Sequence, residues 1–100
     1  MNHQELLNLF CSVQRALLDK ITPNLRAIYI KIKNSNSFEL IFYYDHTLSE
    51  EEEELVSLID TEIMADFPPP DYENSYYIKV ISYPNKIFQE GYCLYKIYEN

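Results

Sequence analysis

Between Gln4 and Ile21 the apolar side chains Leu6, Phe10, Val13 and Leu17 recur at steps of four, three and four. That spacing lines one face of an α-helix, and the segment "TPN" ends it. The period then falls to two. In "RAIYIKIK" Ile28, Ile30 and Ile32 alternate with Tyr29, Lys31 and Lys33, and in "FELIFYYD" Phe38, Leu40, Phe42 and Tyr44 alternate with Glu39, Ile41 and Tyr43. The turn "NSNS" between them makes these two strands a hairpin. A second helix opens at Ser49, where Glu52 three residues on completes a capping-box pattern. Val56, Ile59, Ile63 and Phe67 continue it as an apolar stripe, and Pro68 to Pro70 stop it. After the loop "DYENS", "YYIKVIS" and "GYCLYKIY" read as two more strands separated by "YPNKIFQE".

The succession α-β-β-α-β-β predicts an α+β domain spanning residues 1–100, a four-stranded, mainly antiparallel sheet with both helices on one face. Its expected core is Leu6, Phe10, Val13, Leu17, Ile28, Ile30, Ile32, Phe38, Leu40, Phe42, Val56, Ile59 and Ile63. Tyr29 and Tyr43 fall on the other face of the sheet. With several of Tyr76, Tyr77, Tyr83, Tyr92, Tyr95 and Tyr98 they suggest an exposed tyrosine patch suited to a protein partner.

Composition narrows the chemistry. One hundred residues, 47% of them hydrophobic, suffice for a continuous core without disulfides or metal. Cys11 and Cys93 share no metal-ligand spacing and read as buried small hydrophobes in a reducing compartment. That spacing gives no reason to expect a metal, and a single glycine leaves no glycine-rich loop to cradle a phosphate, so no nucleotide cofactor is expected. No basic start followed by an apolar run, and no stretch near 18 apolar residues, points to export or a membrane span, so the expected location is cytoplasmic.

Charge supplies the strongest signal. The net charge is −8, and the segment from Asn34 to Ile78 holds Glu39, Asp45, Glu50, Glu51, Glu52, Glu53, Glu54, Asp60, Glu62, Asp66, Asp71 and Glu73 without one Lys or Arg. Phosphate binding depends on such cations, so nucleic acid is not the expected direct partner; a basic protein is. Carboxylates favour the first turn of a helix, but Glu50 and Glu54 repel at a spacing of four. On a helical wheel Glu50, Glu51, Glu54, Ser57 and Thr61 point outward, while Asp60 and Glu62 flank the stripe from opposite sides.

No catalytic pattern accompanies the charge. His3 lies near the start of the chain and His46 in the turn "YDHTL", neither set beside a nucleophile. Asp60 with Glu62, or Asp66 with Asp71, lacks the neighbouring Arg or metal that a hydrolytic pair needs, so no enzymatic activity is expected.

The stretches "ALLDKITPNLRAIYI", "LIFYYDHTLSEEEEELVSLIDTEIMADFP" and "SYPNKIFQEGYCLYKIYE" resemble small bacterial immunity proteins of the contact-dependent growth inhibition, or polymorphic toxin, type. The resemblance runs from about Leu6 to Glu99, and "ITPNLRAIYI" and "TEIMADFP" are its most specific parts. It implies stoichiometric binding of a cognate toxin C-terminal domain, commonly a nuclease, in the cytoplasm of the producing cell. A nuclease needs a basic cleft, to which an acidic inhibitor is complementary. The residues expected to meet that cleft are Glu50, Glu51, Glu54, Asp60, Glu62, Asp66, Asp71 and Glu73, with Tyr72 as an aromatic anchor. The alternative is a small acidic adaptor or homodimeric structural protein, assembled through a sheet edge or the tyrosine face.

Overall fold

Two capped helices and four strands make up the computed structural model, which describes residues 1–97. They are α1 (His3–Ala16), β1 (Leu25–Asn34), β2 (Ser37–Tyr44), α2 (Glu50–Asp66), β3 (Glu73–Val80) and β4 (Tyr92–Lys96). Tyr98 and Glu99, which the sequence pattern and the resemblance included, lie outside the described residues. Ser49 forms the expected capping box with Glu52, and Asn2 forms another with Glu5 at the start of α1. Each cap satisfies backbone N–H groups that no helical carbonyl can reach.

The sheet order is β3-β2-β1-β4. β1 and β2 pair as the expected antiparallel hairpin, Ile30 opposite Leu40, and β4 runs antiparallel along the other side of β1. The third pairing differs: β3 lies parallel to β2, with Tyr76 beside Leu40 and Ile78 beside Phe42, so the sheet is mixed. The cause is α2, which carries the chain back to the end of the sheet where β2 began, as a β-α-β crossover does. β3 also begins at Glu73, so most of the expected "DYENS" loop is strand.

Because β3 and β4 occupy opposite edges, the segment joining them must cross the sheet. It does so on the face away from the helices, where Ile81 and Ile87 pack against Ala27, Tyr29, Ile41 and Tyr43. Tyr29 and Tyr43 are therefore buried and stacked edge to face, not part of an exposed tyrosine patch. Gly91 ends this crossing at φ 108°, and a Cβ there would collide with the Ile30 carbonyl oxygen, so only glycine fits.

The main core lies between the sheet and the helices and contains Val13, Leu17, Ile28, Ile30, Phe38, Leu40, Phe42, Val56, Ile59 and Ile63 as expected. Leu6, Phe10 and Ile32 are only half-buried. The inward face of α1 is instead centred on Leu9, Ser12, Val13 and Ala16. Ser12 disguised that face: its hydroxyl donates to Asp66 Oδ2 at 2.7 Å, which satisfies a buried polar group inside the helix pair. Both cysteines are exposed, contrary to the expectation that they fill the core.

Candidate functional site

Helix α2 carries its acids in two classes. Along the side facing α1, Glu62 accepts from Lys20 Nζ at 3.0 Å, and Asp66 accepts from Arg15 at 2.8 Å as well as from Ser12. On the opposite flank Asp60 accepts from the Asn74 amide of β3 at 2.7 Å. Burial pulls the Asp60 carboxyl above its usual range, an effect that the Asn74 hydrogen bond partly offsets. The wheel thus placed Asp60 and Glu62 on opposite flanks of the stripe, and each holds α2 to a neighbouring element.

Glu52 belongs with these structural acids. It accepts from the Thr22 hydroxyl at 2.8 Å, the Asn24 amide at 3.2 Å and the Ser49 backbone N–H at 3.1 Å. Burial pulls its carboxyl up, but the hydrogen bonds from Ser49, Thr22 and Asn24 together hold it below the usual carboxylate value. Asn24 in turn bridges both backbone groups of His46, which fixes the turn before α2. His46 is an exposed turn residue, as expected.

Glu50, Glu51, Glu53 and Glu54 form the other class, with Asp71 and Glu73 beyond the helix. All six are exposed, and among the described residues no Lys, Arg or His forms an ion pair with them. Tyr72, between Asp71 and Glu73, sits differently from a projecting anchor. Its ring packs edge-on against Phe67 at 5.0 Å, and its hydroxyl donates to Glu5 Oε2 at 2.9 Å. Tyr72 borders a cleft of about 460 Å³ that Glu5, Cys11, Arg15 and Asp66 also line, so one side of the ring remains open to a partner.

A second surface includes Tyr76 and Tyr77 of the expected tyrosine patch, but its Ile78 and Val80 were not expected. Tyr76, Tyr77, Ile78 and Val80 are all exposed along β3, the strand at the edge of the sheet beside α2. Their signal in the sequence was "YYIKV", an apolar run without the polar alternation of a half-buried strand. Cations collect elsewhere. Lys86 and Lys96 line a cleft of about 390 Å³ with Tyr83, Pro84 and the exposed Phe88, and Arg26 there donates to the Ile81 carbonyl at 2.6 Å. Among the described residues no group of three or more His, Cys, Asp or Glu is placed to hold a metal ion. No helix among the described residues is long and apolar enough to cross a membrane.

The acidic helix and the exposed edge strand lie side by side, joined by the Asp60–Asn74 hydrogen bond. The model of the MafI2 immunity protein family matches residues 7–99. The chain belongs to the MafI2 immunity protein family. No curated protein matches it significantly. The MafI2 match spans α1 to beyond β4, so the acidic helix, the loop after it and the exposed edge strand all lie inside the family region. Membership in an immunity family points to neutralising a toxin, and it agrees with the resemblance drawn from the residues.

Proposed function

We propose that this chain neutralises its cognate toxin in the cytoplasm by binding, without catalysis or cofactor, a C-terminal toxin domain with a basic cleft, most simply a nuclease. The observation that carries the reading is the ridge of exposed carboxylates on α2 and the loop after it, none paired with a cation among the described residues. Glu50, Glu51 and Glu54 supply its centre, and Asp71 and Glu73 extend it. Asp60, Glu62 and Asp66 add negative potential from the flanks while holding α2 in place, and Tyr72 offers its open side as apolar area. Such a surface steers a basic partner into encounter and repels acidic ones. Carboxylates set along a rigid helix also stand in for the phosphates that a nuclease cleft binds.

The test is association of the toxin domain encoded beside this chain with a Glu50→Lys, Glu54→Lys, Asp71→Lys variant, followed at low and high salt. The expected result is slower association with a weaker salt dependence. An unchanged association rate and salt slope would mean that the acids are only a solvated helix face.

A further inference from the structure

We propose that the outer edge of β3 is the docking seam for the toxin, which adds an extended segment of its own as a fifth strand. The inference rests on the immunity reading above and deepens it by naming the surface.

Backbone geometry defines the seam. The N–H groups of Glu73 and Ile81 donate across to Asn36 and Tyr44 on the β2 side. In a parallel ladder alternate residues direct both backbone groups to the same neighbour. Odd-numbered residues of β3 thus face β2, and Asn74, Tyr76, Ile78 and Val80 turn their N–H and C=O outward. The same four share the helix-side face of the sheet, because they lie beside Phe38, Leu40, Phe42 and Tyr44 of the core. Beyond Asn74, neither helix covers that face of the strand: Tyr76, Ile78 and Val80 are 38%, 38% and 47% exposed. An eight-residue edge with three exposed apolar side chains lacks the usual protections, short length, inward charge or proline. Its one lysine, Lys79, points to the other face, over the Tyr43 ring.

Charge selects the occupant. The Asp60–Asn74 hydrogen bond identifies the side of α2 that borders β3. Glu53 and Ser57 lie seven and three residues earlier, on the same helical face. At 1.5 Å per residue Glu53 is about 10 Å along the helix from Asp60, abreast of the strand beyond Asn74. The apolar shelf therefore has a carboxylate rim along α2, supplied by Glu53 and Asp60. A second copy of this chain, with its own net charge of −8, would bring one acidic rim against another. An extended toxin segment that is apolar on one face and carries Lys or Arg at its flanks satisfies the backbone edge, the shelf and the rim together.

The experiment uses full-length chain and the toxin domain encoded beside it. Ile78→Pro removes an outward N–H without removing a bond to β2, a position edge strands tolerate. Ile78→Lys puts a cation on the shelf. Both variants should keep the thermal midpoint of the wild-type chain within a few degrees and should bind the toxin domain about tenfold or more weaker, with loss of growth protection on co-expression. Glu39→Gln on β2, a substitution away from the seam, should bind as wild type does. Binding by both Ile78 variants within twofold of a tightly binding wild type would overturn the seam and leave the immunity reading standing. A wild-type chain that neither binds nor protects would overturn both. A wild-type dimer in sedimentation velocity that Ile78→Pro converts to monomer, with toxin binding intact, would identify a second copy as the occupant and overturn the proposal.

Discussion

Replacing Glu52 with alanine should destabilise the fold far more than the same change at its neighbour Glu51. Glu52 closes the capping box at Ser49 and accepts from Thr22 and Asn24 at 2.8 and 3.2 Å, tying the start of α2 to the segment before β1. Ser49 still caps the position-52 N–H after the change, so only the Glu52 half of the box, its bond from the Ser49 N–H, is lost. A hydrogen bond to a charged acceptor contributes about 1.5–3 kcal/mol. Because Glu52 is only half-buried, water replaces part of what the two side-chain bonds supply. The low end of that range applies to each bond, and the expected loss is about 2–4 kcal/mol. Glu51 is exposed and has no such partner, so Glu51→Ala should change stability by less than about 0.5 kcal/mol. The pH dependence has a definite sign. The folded Glu52 carboxyl lies below its unfolded value near 4.5, so its contribution is complete above that pH and is lost as pH falls through the folded value. Urea unfolding followed by far-ultraviolet circular dichroism at pH 7 and pH 3 measures both effects. The gap between wild type and Glu52→Ala should be wider at pH 7 than at pH 3. Equal stabilities for Glu51→Ala and Glu52→Ala, or a gap independent of pH, would refute the division of the glutamate run into structural and exposed members.

Phe42 is fully buried beneath both helices, and Phe42→Ala should cost about 3–5 kcal/mol in urea unfolding through lost burial and a cavity. Gly91→Ala should cost about 1–3 kcal/mol, because the positive φ strains any other residue and the added Cβ meets the Ile30 carbonyl; a thermal midpoint equal to wild type would contradict this. Asp60 carries a raised carboxyl pKa, so its ionisation opposes folding once pH rises above the unfolded value of 3.8. Asp60→Asn should therefore be at least as stable as wild type at pH 7 and show a flatter stability profile between pH 4 and 7, measured by thermal melts across that range.

Local pattern made the helices and the first hairpin legible, because each is specified by neighbours. The alternation of Ile28, Ile30 and Ile32 against Phe38, Leu40 and Phe42 set the register of β1 and β2, and Ser49 with Glu52 set the start of α2. Long-range placement was not legible. Nothing in "YYIKVIS" distinguishes a parallel edge strand from an antiparallel central one, since that depends on where α2 delivers the chain. The burial of Tyr29 and Tyr43 follows from the same fact, because opposite edges for β3 and β4 force the connection across their face. At the candidate site the wheel correctly aimed Glu50, Glu51 and Glu54 outward. It could not show that Glu62 and Asp66 meet Lys20 and Arg15, whose cations lie more than forty residues away in sequence.

The distinction between the two classes of acid bears on why the charge is so one-sided. Glu50 to Glu53 occupy the first turn of α2, where each carboxylate gains about 0.3–1 kcal/mol from the helix dipole. Glu52, Asp60, Glu62 and Asp66 are further engaged by named partners. Glu54 has neither advantage: it lies beyond the first turn, is exposed, and faces Glu50 one turn away at a repulsive spacing. Asp71 and Glu73 likewise lie outside the helix with no cation beside them among the described residues. Folding alone gives no reason for acids at these three positions, and the proposed basic partner does. The same charge also bears on self-association, since an apolar edge strand invites pairing with further copies unless those copies repel. Under the proposed function, acid around an open strand serves two ends at once: it disfavours association of the chain with itself and favours association with a basic toxin domain.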